Sequence, residues 1–204
     1  MRKRRGRVPR IEMEPAAAVM LVSLLLTDRT HLALAAVIAA AVHEAGHLAA
    51  ARAMGIPVRA MRFHMLGAGL VPGGRLLTYG EEFLLCIAGP LASLLFAAVP
   101  APLWQRSRFA AALSCASLIL GVLNLLPIRA FDGGRMLEAA VSAHWSPTVS
   151  DTVLTATSLV SLFLLWAIAV YFLLRAGDGL SLWCFSMSLF SRFFAALKRE
   201  DSGE

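Results

Sequence analysis

Long apolar segments separated by short polar stretches occupy most of this chain of 204 residues. A hydrocarbon core ~30 Å thick is crossed by about 20 helical residues. Apolar segments suited to this length fall at 11–27, 31–53, 82–104, 109–128, 149–174 and 180–197. The pattern predicts an all-α polytopic membrane protein with about six transmembrane helices. The first and last segments are less apolar at their centres, so either could instead lie in the membrane interface as an amphipathic helix.

The 58–79 connection after the second span has a different pattern. Residues 58–66 alternate imperfectly between polar and apolar side chains, and Gly67 and Gly69 follow. Pro72-Gly73-Gly74 is typical of a turn, and residues 75–79 after it are expected to form the second strand. Alternation bounded by turn residues is typical of strands. The sequence therefore predicts a small β-hairpin inserted after the second helix.

Composition supports a membrane protein and excludes a soluble globular enzyme. Hydrophobic residues make up 58% of the chain and charged residues 16%, whereas soluble domains average ~45–50% apolar and ~25% charged residues. The three cysteines form no closely spaced pair, so neither a disulfide framework nor a cysteine zinc site is indicated.

The net charge of +6 comes from a basic N-terminal tag, residues 1–10, and the remaining chain is neutral. A cationic segment directly before an apolar span favours a cytosolic N-terminus and contact with anionic lipid, rather than binding to nucleic acid. With six spans the C-terminus returns to the cytosol, where Lys198, Arg199 and the polar tail 200–204 follow the last helix. The expected location is a bacterial cell membrane, in which the chain would be a multi-pass integral protein.

The second span contains the sequence His43-Glu44-Ala45-Gly46-His47. Histidines at positions i and i+4 project from one helix face and can hold one Zn²⁺, while the intervening glutamate can act as a general base. A polar cluster between helices without metal is the alternative. It is less favoured, because three ionisable groups on adjacent turns of an apolar helix need water or metal.

A third zinc ligand is expected, since catalytic zinc sites usually have three protein ligands and an open position. The best candidate is Asp132, which follows the fourth predicted span in the sequence Asn124-Leu125-Leu126-Pro127-Ile128-Arg129-Ala130-Phe131-Asp132-Gly133-Gly134. Pro127 interrupts helical hydrogen bonding, and the glycines relax the backbone so that the carboxylate could turn toward the metal. By itself, an Asp-Gly-Gly sequence is more often a turn.

Together these motifs resemble the site-2 protease family of intramembrane zinc metalloproteases. HExxH in one span, N-x-x-P and D-G-G after another, and the small-residue stretch at 88–93 carry the resemblance over about residues 31–145. The six spans and the hairpin are similar to the bacterial subgroup of the sporulation protease stage IV FB, without its nucleotide-binding CBS domain. The resemblance implies one membrane-embedded metalloprotease domain over residues 11–199.

The resemblance also implies a function and a set of roles. The chain would cleave a transmembrane or membrane-associated protein near the cytosolic leaflet, as in the regulated proteolysis of a sigma-factor or anti-sigma-factor substrate, with a membrane regulatory partner as a possible addition. Glu44 would be the catalytic base, and His43, His47 and Asp132 would hold one Zn²⁺. Asn124 would lie near the substrate, and an edge strand carrying Gly67 and Gly69 would bind the unwound peptide.

Two alternatives stay open at this point. Asn124 could equally be a residue that links helices by hydrogen bonds. The whole chain could be a catalytically silent zinc-binding membrane protein, acting as an escort module or a transporter. Arg129, which stands where relatives often have proline, is expected to point to the cytosolic interface, because a cation close to zinc is repelled.

Overall fold

Helices make up most of the computed structural model, which describes residues 10–13, 28, 30–64, 67–73, 75–176 and 180–202, with the single residues 15, 18, 22, 23 and 26. The chain packs as two compact units, Met1–Asn124 and Leu125–Glu204. Each unit is described by itself.

The first unit is built around three helices: α1 (Leu32–Ala53), α2 (Tyr79–Ala97) and α3 (Arg108–Asn124). A short 3₁₀ turn, Ala101–Leu103, lies between the last two. Each of the three helices packs against the other two. Helix α3 ends before Pro127, as expected, because a proline disfavours helical backbone at the residue that precedes it.

A three-stranded sheet completes the first unit, formed by β1 (Arg10–Met13), β2 (Val58–His64) and β3 (Gly67–Pro72). Its strand order is β1-β2-β3, with β1 parallel and β3 antiparallel to the central strand β2. Within the described part of the chain, β3 therefore has one edge that pairs with no other strand.

The strand positions correct two details of the sequence prediction. The second strand was expected near residues 75–79, but it lies at Gly67–Pro72, and no strand is present among residues 75–79. The strand begins before the predicted turn at Pro72-Gly73-Gly74, because a strand ladder is made by backbone N–H and C=O groups, which Gly67 and Gly69 supply like any residue. Residues from Thr78 onward instead begin α2, where Thr78 and Glu81 form a reciprocal capping box.

Asp28 caps the N-terminus of α1 from four residues outside the helix. Its carboxylate accepts hydrogen bonds from the backbone N–H groups of Leu32, Ala33 and Leu34 at 3.1, 2.8 and 3.2 Å. The first N–H groups of a helix have no hydrogen-bond acceptor within the helix, and the Asp28 carboxylate is the acceptor for three of them. Burial by itself raises the pKa of Asp28, but hydrogen bonds from the backbone and from the Thr30 hydroxyl outweigh it and lower the pKa from 3.8.

This cap predicts an acid-sensitive start of α1. Because the folded-state pKa of Asp28 is lowered, its stabilising contribution is present above the ordinary value of 3.8 and is lost as the pH falls through the lower folded value. Amide hydrogen exchange at Leu32–Leu34 should accelerate over that acid range, beyond the intrinsic pH dependence of exchange. In Asp28→Ala the same amides should exchange fast at every pH. An unchanged protection pattern in Asp28→Ala would contradict the cap.

The second unit consists of α4 (Asp132–Ser142), α5 (Pro147–Ala176) and α6 (Leu180–Ser202). Helix α5 packs against both of the others. Its buried apolar side chains share one helical face and are Leu154, Leu162, Leu165 and Ala169. Helix α4 was not predicted, because its first residues, Asp-Gly-Gly, are more typical of a turn.

Three helices among the described residues are long and apolar enough to cross a membrane: Leu32–Ala53, Tyr79–Leu103 and Pro147–Arg175. Large apolar side chains on these helices are exposed, among them Leu91, Leu95, Phe163 and Phe172. An outward apolar surface of this kind suits contact with lipid. These observations support a mostly helical membrane protein, and the count of six spans stays a prediction.

The ends of the chain differ in part from the sequence prediction. The first predicted span, 11–27, begins with residues that belong to strand β1, and most of its remaining residues lie outside the described part of the chain. The basic tag 1–10 also lies outside it, apart from Arg10. At the other end, helix α6 continues through Ser202, into the segment that was expected to be a polar tail.

Candidate metal centre

His43, Glu44 and His47 lie together on the buried face of α1. This face repeats every four residues, through Ala35, Ala39, His43, His47 and Ala51, as expected for residues stacked along one side of a helix. The ligand atoms of the two histidines and Glu44 lie within 4.8 Å of one another, and all three residues are buried. The spacing predicted from the sequence thus produces a compact group of donors.

The two imidazole rings direct the same nitrogen toward each other. The Nε2 atoms of His43 and His47 are 3.2 Å apart, and the rings meet edge to face with their centroids 4.8 Å apart. Two nitrogens bound to one tetrahedral zinc at ~2.0–2.1 Å are separated by about 3.3 Å. The observed separation matches that of two ligands of one zinc ion.

His47 is oriented by a main-chain carbonyl. Its Nδ1–H donates a hydrogen bond to the carbonyl oxygen of Leu85 in α2 at 2.8 Å. A carbonyl can only accept, so the proton of the neutral ring is on Nδ1 and Nε2 carries a lone pair.

His43 is oriented by a side chain. Its Nδ1 lies 3.0 Å from the hydroxyl oxygen of Ser93, also in α2, and Ser93 is completely buried. Metal-binding histidines typically use their second nitrogen in a hydrogen bond that fixes the ring. Both histidines of this pair therefore have the outer partner that a metal ligand requires.

Two glycines allow α1 and α2 to come close enough for these contacts. A Cβ atom at Gly89 of α2 would lie 2.2 Å from Nε2 of His47, and a Cβ at Gly46 of α1 would lie 2.5 Å from the carbonyl oxygen of Ala88. Neither distance is compatible with a side chain. Gly89 provides the space for the His47 ring, and Gly46 the close approach of the helix backbones.

Zinc fits these residues on three independent grounds. The donor set of two neutral imidazoles with an adjacent carboxylate is one that zinc prefers. The Nε2 atoms face each other at the separation of zinc ligands. The Nδ1 atoms are engaged by Leu85 and Ser93, so the rings cannot turn without loss of a buried hydrogen bond.

Asp132 belongs to the second unit, where it occupies the first turn of α4 and is partly buried. The two glycines after it are required by close packing. A Cβ at Gly133 would lie 2.3 Å from the carbonyl oxygen of Leu125, and one at Gly134 would lie 2.2 Å from that of Ile128. The glycines thus press the start of α4 onto the preceding loop and fix the backbone that carries Asp132. Its role as a third zinc ligand stays a prediction.

The loop before Asp132 is anchored to α5 at Arg129. The backbone N–H of Arg129 donates to the hydroxyl of Ser158 at 3.0 Å, while its guanidinium forms an ion pair with Asp151 and donates to the Thr155 hydroxyl. The sequence predicted that Arg129 points to the interface. Its guanidinium lies against the first turns of α5, where the carboxylate of Asp151 compensates its charge, and a position at the cytosolic interface stays a prediction.

The remaining predicted site residues take the following places. Asn124 is the last residue of α3, and its side-chain amide donates to the carbonyl of Leu120 in the same helix at 2.9 Å. Gly67 and Gly69 lie on β3, opposite His64 and Arg62 of β2. Roles in substrate binding stay predictions for all three. Ser93, Gly89 and the Leu85 carbonyl had no assigned role in the sequence, although the 88–93 stretch was noted for its small residues.

Comparisons with known proteins find similar sequences and a similar fold. The sequence model of Peptidase family M50 matches residues 101–168. Two curated relatives, from the Erdman and H37Rv strains of Mycobacterium tuberculosis, carry the name zinc metalloprotease Rip3 and are 33% identical over 107 residues, which is 48% of this chain and 27% of theirs. The chain thus spans about a quarter of the length of these relatives.

The fold is similar to that of the site-2 protease from Methanocaldococcus jannaschii, with a TM-score of 0.60 at 20% identity, over 93% of this chain and 92% of that one. The partial sequence matches and the fold agree with the resemblance to the site-2 protease family that the motifs carry.

Proposed function

We propose that this protein is a zinc-dependent intramembrane endopeptidase, which cleaves a transmembrane or membrane-associated protein near the cytosolic leaflet. One observation carries the proposal. Two buried imidazoles in an apolar helix direct their Nε2 atoms at each other across 3.2 Å, with a buried glutamate between them in the sequence. Ionisable groups are costly inside a membrane helix and are retained there for function.

In the proposed site, His43, His47 and Asp132 would hold one zinc ion. When bound, zinc supplies Lewis acidity, which polarises a carbonyl and makes a water molecule more acidic. Glu44 accepts a proton from the attacking water as its oxygen forms a bond to the scissile carbonyl carbon. As the C–N bond breaks, Glu44 delivers that proton to the amide nitrogen, which leaves as an amine. The buried position of Glu44 keeps bulk water from competing for the proton.

The substrate helix must unwind before attack, because its amides are hydrogen-bonded within the helix. Strand β3 supports this step, since it has an edge that pairs with no other strand of the described sheet. An extended peptide could add to that edge through backbone hydrogen bonds. Gly67 and Gly69 would let the peptide backbone approach closely, and the Asn124 amide would bind the peptide or the developing oxyanion.

The finer parts of the proposal follow from the sequence. Six spans and a basic N-terminus favour a bacterial cell-membrane protein with both termini in the cytosol. Counted at ~1.5 Å per residue from His43 to Arg52, the metal centre lies about 14 Å from the cytosolic end of its helix. A sigma-factor or anti-sigma-factor type of substrate fits this position, because its fragment would be released into the cytosol. One zinc ion per chain is expected.

Removal of zinc tests the proposed activity. The full chain is reconstituted in liposomes with a single-span reporter, whose transmembrane segment has helix-weakening Gly and Pro residues near its cytosolic end. A zinc chelator should abolish release of the cytosolic reporter fragment, and added Zn²⁺ should restore it. Cleavage that continues after complete removal of metal would contradict the zinc mechanism.

A further inference from the structure

The two histidines of the metal centre differ in the group that holds them. His47 donates to a main-chain carbonyl, which can only accept a hydrogen bond. His43 faces the hydroxyl of Ser93, which can either accept a proton from Nδ1 or donate its own. The protonation pattern of His47 is therefore fixed by the backbone, whereas that of His43 depends on the Ser93 hydroxyl.

We propose that Ser93 is a positioning residue of the metal centre. It accepts the Nδ1–H of His43 and thereby turns the Nε2 lone pair toward the metal position. The inference rests on the proposed zinc-dependent function and adds to it a residue that lies outside the HExxH motif. Ser93 contacts no reacting atom. It acts through His43.

The location of Ser93 matches this role. Leu85, Gly89 and Ser93 are spaced four residues apart on α2, so they lie along one face of the helix. This face meets the face of α1 that carries the two histidines. Leu85 binds His47, Gly89 leaves space for the His47 ring, and Ser93 binds His43.

Other buried serines of the first unit serve the helix backbone instead. The hydroxyl of Ser117 donates to the carbonyl of Leu113 in its own helix at 2.8 Å, and that of Ser114 donates to the carbonyl of Ala97. Like Ser93, Ser117 is completely buried. Ser117→Ala therefore removes the same atom from an equally buried position without a contact to a histidine, which makes it the matched control.

Zinc affinity of the purified full chain, measured by competition with a fluorescent zinc chelator, tests the role of Ser93. Ser93→Ala should bind zinc about 10–100-fold more weakly than the wild type, the range found when an outer partner of a ligand is removed. Ser117→Ala should bind zinc with wild-type affinity, because its hydroxyl contacts the Leu113 carbonyl of its own helix and no histidine. Ser93→Thr, which keeps a hydroxyl, should recover affinity relative to Ser93→Ala.

The outcomes separate this inference from the proposed function. Wild-type affinity in Ser93→Ala would overturn the positioning role, and so would equal losses in Ser93→Ala and Ser117→Ala. If Ser93→Ala does not fold by circular dichroism, Ser93→Val replaces it, because valine has the shape of threonine but no hydroxyl to accept from His43. Its affinity should fall in the same way, and wild-type affinity would again overturn the role. Failure of the wild-type chain to bind zinc at all would instead contradict the proposed function.

Discussion

Glu44→Gln should abolish release of the reporter fragment while the chain still binds zinc. The substitution keeps the size and polarity of the side chain, and it leaves His43 and His47 in place. Glutamine cannot accept the proton of the attacking water, and loss of a general base typically lowers a rate by about 10²–10⁴-fold. Cleavage is measured with the single-span reporter in liposomes, and zinc affinity by chelator competition on the same preparation.

The matched control is Glu138→Gln, at an exposed position of α4 in the second unit. It makes the same change of charge at an exposed side chain that is not part of the group formed by His43, Glu44 and His47, so it should leave both cleavage and zinc affinity unchanged. Full cleavage by Glu44→Gln would exclude Glu44 as the base. The variant also distinguishes a protease from a zinc-binding escort module or a transporter, because partner binding or transport does not require a general base.

The sequence predicted the parts of the site that are local along the chain. His43 and His47 are one helical turn apart, so their common face follows from the geometry of a single helix. The resemblance carried by the motifs also agrees with the match to Peptidase family M50 over residues 101–168 and with the fold of the archaeal site-2 protease, which is 20% identical. To predict that the two histidines are buried, it is enough to know that another helix packs on this face of α1.

The parts that were missed depend on how distant segments meet. Ser93 and the Leu85 carbonyl contact the histidines only in one register of α2 against α1, and no local pattern specifies that register. Gly89 is likewise explained by the ring of His47, a residue 42 positions earlier in the sequence. The second strand of the hairpin was predicted too late in the sequence for a related reason. Residues 67–72 form a strand because they pair with β2, and their own glycine-containing sequence does not specify that pairing.

Gly89→Ala should destroy the zinc site without unfolding the first unit. The added Cβ would lie 2.2, 2.5 and 2.8 Å from three atoms of the His47 ring, and all three are side-chain atoms that can move. The ring must therefore swing away, which breaks its bond to Leu85 and displaces Nε2. A displacement of ~1 Å at a reacting group costs about 10²-fold in rate.

Two further glycine variants make this prediction specific to the ring. Gly80→Ala, in the first turn of the same helix, places its Cβ where nothing lies within 4 Å, so zinc affinity and cleavage should be unchanged. Gly46→Ala pushes against the backbone of Ala88 at 2.5 Å, so it should lower the thermal stability of the chain. Gly89→Ala should instead keep a helical circular dichroism spectrum and a near-normal melting temperature, while zinc affinity and fragment release are lost together. Zinc binding that survives in Gly89→Ala would show that His47 does not occupy the ligand position assigned to it.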